Sequence, residues 1–264
     1  MKVITNFKHN YEEDPIRFFN FEEFEGKAKD CILYVGGWPD VSIFDENTDV
    51  PKYFFSTEEQ TWDQDGTNQF VPHVEKILTI CPPKFTNRLK RQGVFFPLHK
   101  SLIPELVEKQ WDVIYTGFAT GSHVRSIVDV IKHYNYRLIS FSDYNGATTN
   151  KNASYKEKLD LISKSKICVT HNQTNNSPQL KSRIFEAAFC RSVMLVLEDE
   201  FNIVEEWFTP YEDFLYFKEG ELQQRIDDVL NHYEYYTTMI DSAFNKAYNN
   251  YTTEQFIERY IGWK

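Results

Sequence analysis

No stretch of this 264-residue chain is long and apolar enough to cross a membrane as a helix. Its amino terminus, MKVITNFKHNYEED, turns acidic at once and offers no apolar leader. Positive charge is in deficit: 29 Lys and Arg stand against 39 Asp and Glu, a net charge of −10. A nucleic-acid binder needs a basic face to displace counterions, so that class is disfavoured. Cysteine is sparse, and Cys31, Cys81, Cys168 and Cys190 stand singly in or beside apolar segments, without C-x-x-C spacing. They read as reduced core residues rather than a zinc site or a disulfide framework. Internal repeats and low-complexity linkers are lacking as well. These absences together predict a soluble, cytoplasmic protein.

Aromatic residues, by contrast, are plentiful: 22 Phe and 16 Tyr supply ample core material. The length allows one large α/β domain or two small ones. Strand and helix patterns alternate throughout, which predicts parallel sheets. In the first half, residues 1–104, strands are expected at 2–5, 31–35, 52–56, 76–80 and 94–98. A short acidic helix is expected at 21–29 and a basic one at 83–92. In the second part, residues 105–250, strands are expected at 112–116, 136–141, 167–170 and 193–197. Helices are expected at 123–134, 155–164, 219–231, 235–249 and 253–261.

The most informative stretch is 166–198, KICVTHNQTNNSPQLKSRIFEAAFCRSVMLVLE. It reads as strand, polar loop, helix, strand. Ser177 then Pro178 looks like a helix start, a hydroxyl N-cap followed by a ring at the first helical position. Leu180, Ile184, Phe185, Ala188 and Phe189 would form the buried face. Lys181 and Arg183 near a helix N-terminus suit a phosphate, and Glu186 one turn deeper suits a ribose diol. Taken alone, Arg183 and Glu186 also fit a surface ion pair of roughly 0.2–0.5 kcal/mol. The polar loop and the flanking apolar strands favour the ligand reading, because ligands of open α/β sheets bind at the carboxyl edge.

Arg183-Ile-Phe-Glu186-Ala-Ala-Phe-Cys followed by an apolar strand resembles the donor-site segment of GT-B glycosyltransferases, above all the spore-maturation-type and group 1 members. Trp111-Asp-Val-Ile-Tyr-Thr-Gly117 is similar to the family's first strand of the carboxyl domain, and Phe208-Thr-Pro-Tyr-Glu212-Asp-Phe-Leu-Tyr216 to a later family stretch. The likeness runs from about Trp111 to the carboxyl terminus. It implies two facing Rossmann-like domains with parallel sheets, the first one reduced, and a last helix, 251–264, crossing back to the first domain. It also implies that Glu186 accepts bonds from the donor ribose. Better-known relatives carry a second glutamate eight positions earlier, where this chain has Pro178; Asn175, Asn176 or Gln179 are neutral stand-ins.

Other candidate positions follow from the residues. Gly117, Thr120 and Gly121 join a strand to a helix and would let backbone N–H groups approach a phosphate, with Arg125 adding a charge-assisted bond. An ordinary strand-to-helix turn fits equally, and the lack of G-x-G-x-x-G disfavours a dinucleotide site. His171 and Asn172 close the strand before the donor loop, where a structural role is the commoner one. Gly37 and Trp38 would meet an acceptor sugar, with Asp40 or Glu58 as base and His73 a poorer third choice. Asp63-Gln64-Asp65 has the D-x-D form of metal-dependent relatives but lies in a polar turn. No metal and no cofactor are therefore expected, only a nucleotide-diphosphate sugar as donor and a glycan or other hydroxyl as acceptor. A sugar-nucleotide epimerase of the same fold and a non-catalytic nucleotide-sugar or glycan-binding module are the rival classes.

Overall fold

The computed structural model describes residues 1–5, 19–36, 44, 49–57, 68–81, 90–117, 121–140, 144, 146–151, 153–174 and 177–264. They form two compact units. The first comprises Met1–His99, Gln173–Lys181 and Tyr251–Lys264; the second comprises Lys100–Asn172 and Ser182–Asn250.

The first unit carries a parallel sheet of five strands in sequence order: β1 (Lys2–Thr5), β2 (Ile32–Gly36), β3 (Lys52–Ser56), β4 (Lys76–Thr79) and β5 (Arg91–Gly93). Successive strand side chains face opposite ways, and β3 shows where the phenylalanines go. Phe54 meets Phe44 and Phe70, while the next residue, Phe55, meets Phe19 and Phe256. Phe256 closes a short carboxyl-terminal helix, Thr253–Phe256, whose Thr253 hydroxyl donates to the Phe19 carbonyl at 2.6 Å.

The second unit carries β6 (Trp111–Thr116), β7 (Tyr136–Ile139), β8 (Ser165–Thr170), β11 (Val193–Leu197) and β12 (Leu215–Phe217), again all parallel, in the order β12-β11-β8-β6-β7. The short β9 (Gln173–Thr174) and β10 (Ser177–Pro178) lie in the first unit's middle segment. After β6 the chain builds β7 on one side and then β8 on the other. That reversal is a topological switch point, the place where open parallel sheets bind ligands beyond the strand ends.

Five helices cover this second sheet: α1 (Ser122–Ile131), α2 (Tyr155–Ser163), α3 (Ser182–Phe189), α4 (Leu222–Asn231) and α5 (Thr237–Asn250). In α1, Val124, Ile127, Val128 and Ile131 are buried at the spacing of one helix face. They pack on Val113, Tyr115, Ile167 and Val169 of the two central strands.

Four sequence expectations need correction. Residues 94–98 are not a strand: Val94 donates once to the Thr79 carbonyl, Leu98 makes a single bridge to Thr252, and Phe95 and Phe96 are apolar because they are buried, not because they pair. The strand is instead Arg91–Gly93, so a helix cannot reach Gln92; residues 83–89 lie outside the described residues. The helix expected at 21–29 is a single 3-10 turn, Phe21–Phe24, which buries Phe21 and Phe24. Ser177 and Pro178 do not start a helix either. They pair antiparallel with Gln173–Thr174, and the Leu180 N–H donates to the Ile80 carbonyl, which holds the chain extended until α3 begins at Ser182.

Candidate functional site

At the switch point β6 ends in Thr116 and Gly117, and β8 ends in Thr170, His171 and Asn172. Gly117 has φ of 136°, a backbone conformation that suits glycine. Gly121 is the N-cap of α1 and makes no side-chain cap, so no side chain at that position covers the N–H groups of the first turn.

Arg183, in the first turn of α3, lays its guanidinium against this edge. A Cβ at position 117 would lie 2.6 Å from its Nη2. Nη1 donates to the Tyr115 hydroxyl at 3.0 Å, and the Tyr115 oxygen stands 3.1 Å from Nε2 of His171. A guanidinium can only donate. The Tyr115 oxygen therefore accepts from Arg183 and stands within hydrogen-bond distance of His171. Among the described residues no carboxylate pairs with Arg183. A partly buried cation without a counter-ion, at the carboxyl edge of a parallel sheet, is equipped to meet an anion.

Glu186 departs from the open carboxylate that the sequence suggests. It is 3 % exposed. Its Oε2 meets the Lys158 ammonium at 2.6 Å, and its Oε1 accepts from the Tyr155 hydroxyl at 3.2 Å. It makes no ion pair with Arg183, so a surface pair is not its setting either. Burial, then the Glu186 charge, push the Tyr155 phenol well above its ordinary value. The same causes in the same order raise the nearby Cys168 thiol to about 12 and lift Cys190 well above its ordinary value.

The second unit thus brings together Gly117, Gly121, His171, Asn172, Arg183 and Glu186 along the ends of β6 and β8 and the start of α3. Arg125 is exposed on α1, its backbone N–H bonded to the Gly121 carbonyl. Lys181 belongs to the first unit's middle segment, where its ammonium donates to the Gln179 side chain. His73 stacks on Phe44, with ring centroids 6.2 Å apart, a core contact. Gly37, Trp38, Asp40, Glu58, Asp63, Asp65, Thr120, Asn175 and Asn176 lie outside the described residues. Among the described residues no group of three or more His, Cys, Asp or Glu could hold a metal ion, and no helix is long and apolar enough to cross a membrane.

Sequence reasoning passed over Tyr115, Tyr155 and Lys158. A tyrosine inside an apolar strand reads as core, and only its hydroxyl gives it a second role. Lys158 carried a usable signal. On α2, Tyr155, Leu159 and Ile162 form the inward stripe, and Lys158, three residues after Tyr155, borders it.

Two units built on parallel five-stranded sheets with interleaved helices are those of a GT-B glycosyltransferase. A glycosyl transferase-like family matches residues 116–262, more than half of the chain, and the chain belongs to that family. Solved structures share the fold. HepE of Anabaena, in complex with UDP-glucose, superposes with a TM-score of 0.63 at 10 % identity, over 87 % of this chain and 77 % of HepE. TarM of S. aureus gives 0.58 at 10 % identity, over 92 % of this chain. The chain spans only 56 % of TarM's length. T4 phage BGT, in complex with UDP and Mn2+, gives 0.58 at 13 % identity, over 94 % of this chain and 95 % of BGT. No curated protein matches the chain by sequence.

Proposed function

We propose that the chain binds a nucleotide-diphosphate sugar on its second unit and transfers the sugar to a hydroxyl of a glycan or other acceptor. The observation that carries this reading is Arg183, a cation with no carboxylate partner among the described residues, seated against Gly117 beside the start of α1. Diphosphate oxygens would meet the guanidinium, the Gly117 backbone and the first-turn N–H groups of α1, with Arg125 at its rim. Charge develops on the leaving diphosphate as the glycosidic bond breaks, and fixed donors stabilise it. His171 and Asn172 line the same edge.

Through the family resemblance, Glu186 would accept the ribose hydroxyls. Thr120, Asn175 and Lys181 belong to the proposed donor set through the family resemblance. Gly37 and Trp38 would receive the acceptor. If the transfer inverts configuration, Asp40 or Glu58 takes the acceptor's proton. Protein cations and helix N–H groups would do the work without a metal, in the cytoplasm.

A thermal-shift screen of nucleotide sugars tests the reading, because a ligand of the native state raises its apparent stability. Uridine donors come first, since HepE and BGT hold UDP. A stabilising donor, together with sugar transfer to an added acceptor, is expected. Conversion of the donor without any acceptor would point to an epimerase. Failure of every nucleotide sugar to stabilise the protein would overturn the proposal.

A further inference from the structure

We infer that Tyr115 and His171 are positioning residues for Arg183: they hold its guanidinium in the pose that meets the donor diphosphate before any donor arrives. The inference rests on the nucleotide-sugar reading above.

Three groups of the second unit stand in a row. The Tyr115 oxygen accepts from Nη1 of Arg183 at 3.0 Å and lies 3.1 Å from Nε2 of His171. The middle member is the fixed one. Tyr115 is fully buried, and in β6 it pairs with Leu138 of β7 on one side and Val169 of β8 on the other. A buried ring on a strand bonded along both edges has little freedom, so its oxygen is a fixed point. His171 follows β8 and lays its ring over that of Tyr115, with centroids 6.2 Å apart and planes 22° apart.

A hydroxyl oxygen has two lone pairs and one proton to give. If His171 accepts that proton, both lone pairs are left; if His171 donates instead, one is left. Either way a lone pair remains for Arg183, and the bond to His171 fixes the direction in which the oxygen presents it. On its other side the guanidinium is bounded by Gly117, where a Cβ would lie 2.6 Å from Nη2 and 2.9 Å from Nη1. A guanidinium keeps further N–H donors once one is spent on Tyr115. An arginine side chain loses much rotamer freedom when it is immobilised, and a contact that immobilises it beforehand spares the ligand that loss. If His171 instead touched the donor itself, it would still matter once the Tyr115 hydroxyl is gone, and that difference can be measured.

Calorimetric titration with UDP and with uridine, in a double-mutant cycle, reads the difference. The guanosine and adenosine pairs are run alongside, and the tightest pair is used. Tyr115→Phe and His171→Leu should each weaken UDP about three- to fivefold and leave uridine unchanged. The double variant should be no weaker than Tyr115→Phe alone, because His171 acts through the hydroxyl. His171→Gln, whose amide can reach the place of Nε2, should recover most of the loss. Losses that multiply in the double variant, to about tenfold or more, would mean an independent contact by His171 and overturn the inference while the donor reading stands. Unchanged UDP affinity in His171→Leu would overturn it too. Equal weakening of UDP and uridine together with a lower melting temperature would show a purely structural role and end the inference. Failure of every diphosphate to bind the wild-type protein would overturn the donor reading itself. If His171→Leu does not fold, His171→Asn, whose shorter side chain leaves the place of Nε2 empty, is read by the same criteria.

Discussion

Gly117 and Arg183 occupy one space: the guanidinium fills the volume that any side chain at position 117 would claim, 2.6 Å from where its Cβ would be. The backbone there, at φ of 136°, would also strain an L residue. Gly117→Ala should therefore cost stability, about 1–3 kcal/mol from the backbone, and displace the guanidinium. Donor affinity should fall by about a decade. Thermal unfolding and titration check the two effects separately. A variant that loses stability but keeps full affinity would mean that the seat of Arg183 is irrelevant to binding.

The Arg183 bonds make a graded prediction. Arg183→Gln removes the charge and should weaken diphosphate binding by roughly one to two decades. Arg183→Lys should recover only part of it, because an ammonium lacks the planar fork. Tyr115→Phe leaves the cation but takes away its resting acceptor, so the loss should be a few-fold. The nucleoside without phosphates should bind all three variants alike. Equal weakening of nucleoside and nucleotide would show that the site, not the phosphate contact, had been damaged.

Much of this arrangement was legible in the sequence, and what was not has identifiable causes. β11 was expected at 193–197 and is Val193–Leu197, because a fully buried central strand is apolar at every position. Gly117, His171 and Arg183 were singled out from punctuation alone: a strand, a small or polar residue, a helix. The start of α3 was misread because Ser-Pro fits a helix N-terminus and an extended segment equally, and the Leu180 to Ile80 bond that decides between them joins residues a hundred positions apart. The partners of Glu186 were hidden for the same reason, since Tyr155 and Lys158 lie 31 and 28 positions upstream on another helix.

Alkaline pH should weaken the fold. Burial raises Cys31 to about 11 and Cys168 to about 12 and lifts Cys190 and Tyr155 well above their ordinary values, whereas the unfolded thiols ionise near 9.0. Above pH 9 the unfolded chain loses protons that the folded chain keeps, so stability falls as pH rises through the window from 9 to 12. Lys109 opposes this: burial lowers it to about 8 from 10.5, so stability gains as pH rises between those values. The thiols and the phenol outnumber it. Melting temperatures from pH 9 to 10.5 should decline, and Cys168→Ala should flatten the decline. A flat profile in the parent protein would contradict the burial of these thiols.

Metal should not be needed for donor binding. The proposed phosphate contacts are a guanidinium and backbone N–H groups, and neither requires a bridging cation. Titration of the best donor in EDTA is expected to match that in its absence. Loss of binding that manganese restores would bring Asp63 and Asp65 back into consideration.

Glu186 makes the sharpest test, because two properties should change together. Its carboxylate is buried, with Lys158 on one oxygen and Tyr155 on the other. Glu186→Ala leaves the ammonium without its partner, and breaking a buried pair costs about 3–5 kcal/mol. Lys158 retains some exposure, so the lower end of that range, roughly 3 kcal/mol, is expected. Glu186→Gln keeps the shape and one acceptor oxygen and should cost less. If Glu186 also accepts the ribose hydroxyls, the folded fraction of Glu186→Ala should bind the donor one to two decades more weakly. Unfolding in urea measures the first quantity, and titration well below the melting temperature measures the second. A destabilised variant with unchanged donor affinity would confine Glu186 to joining α2 and α3. The donor reading would then rest on Arg183, Gly117 and the start of α1 alone.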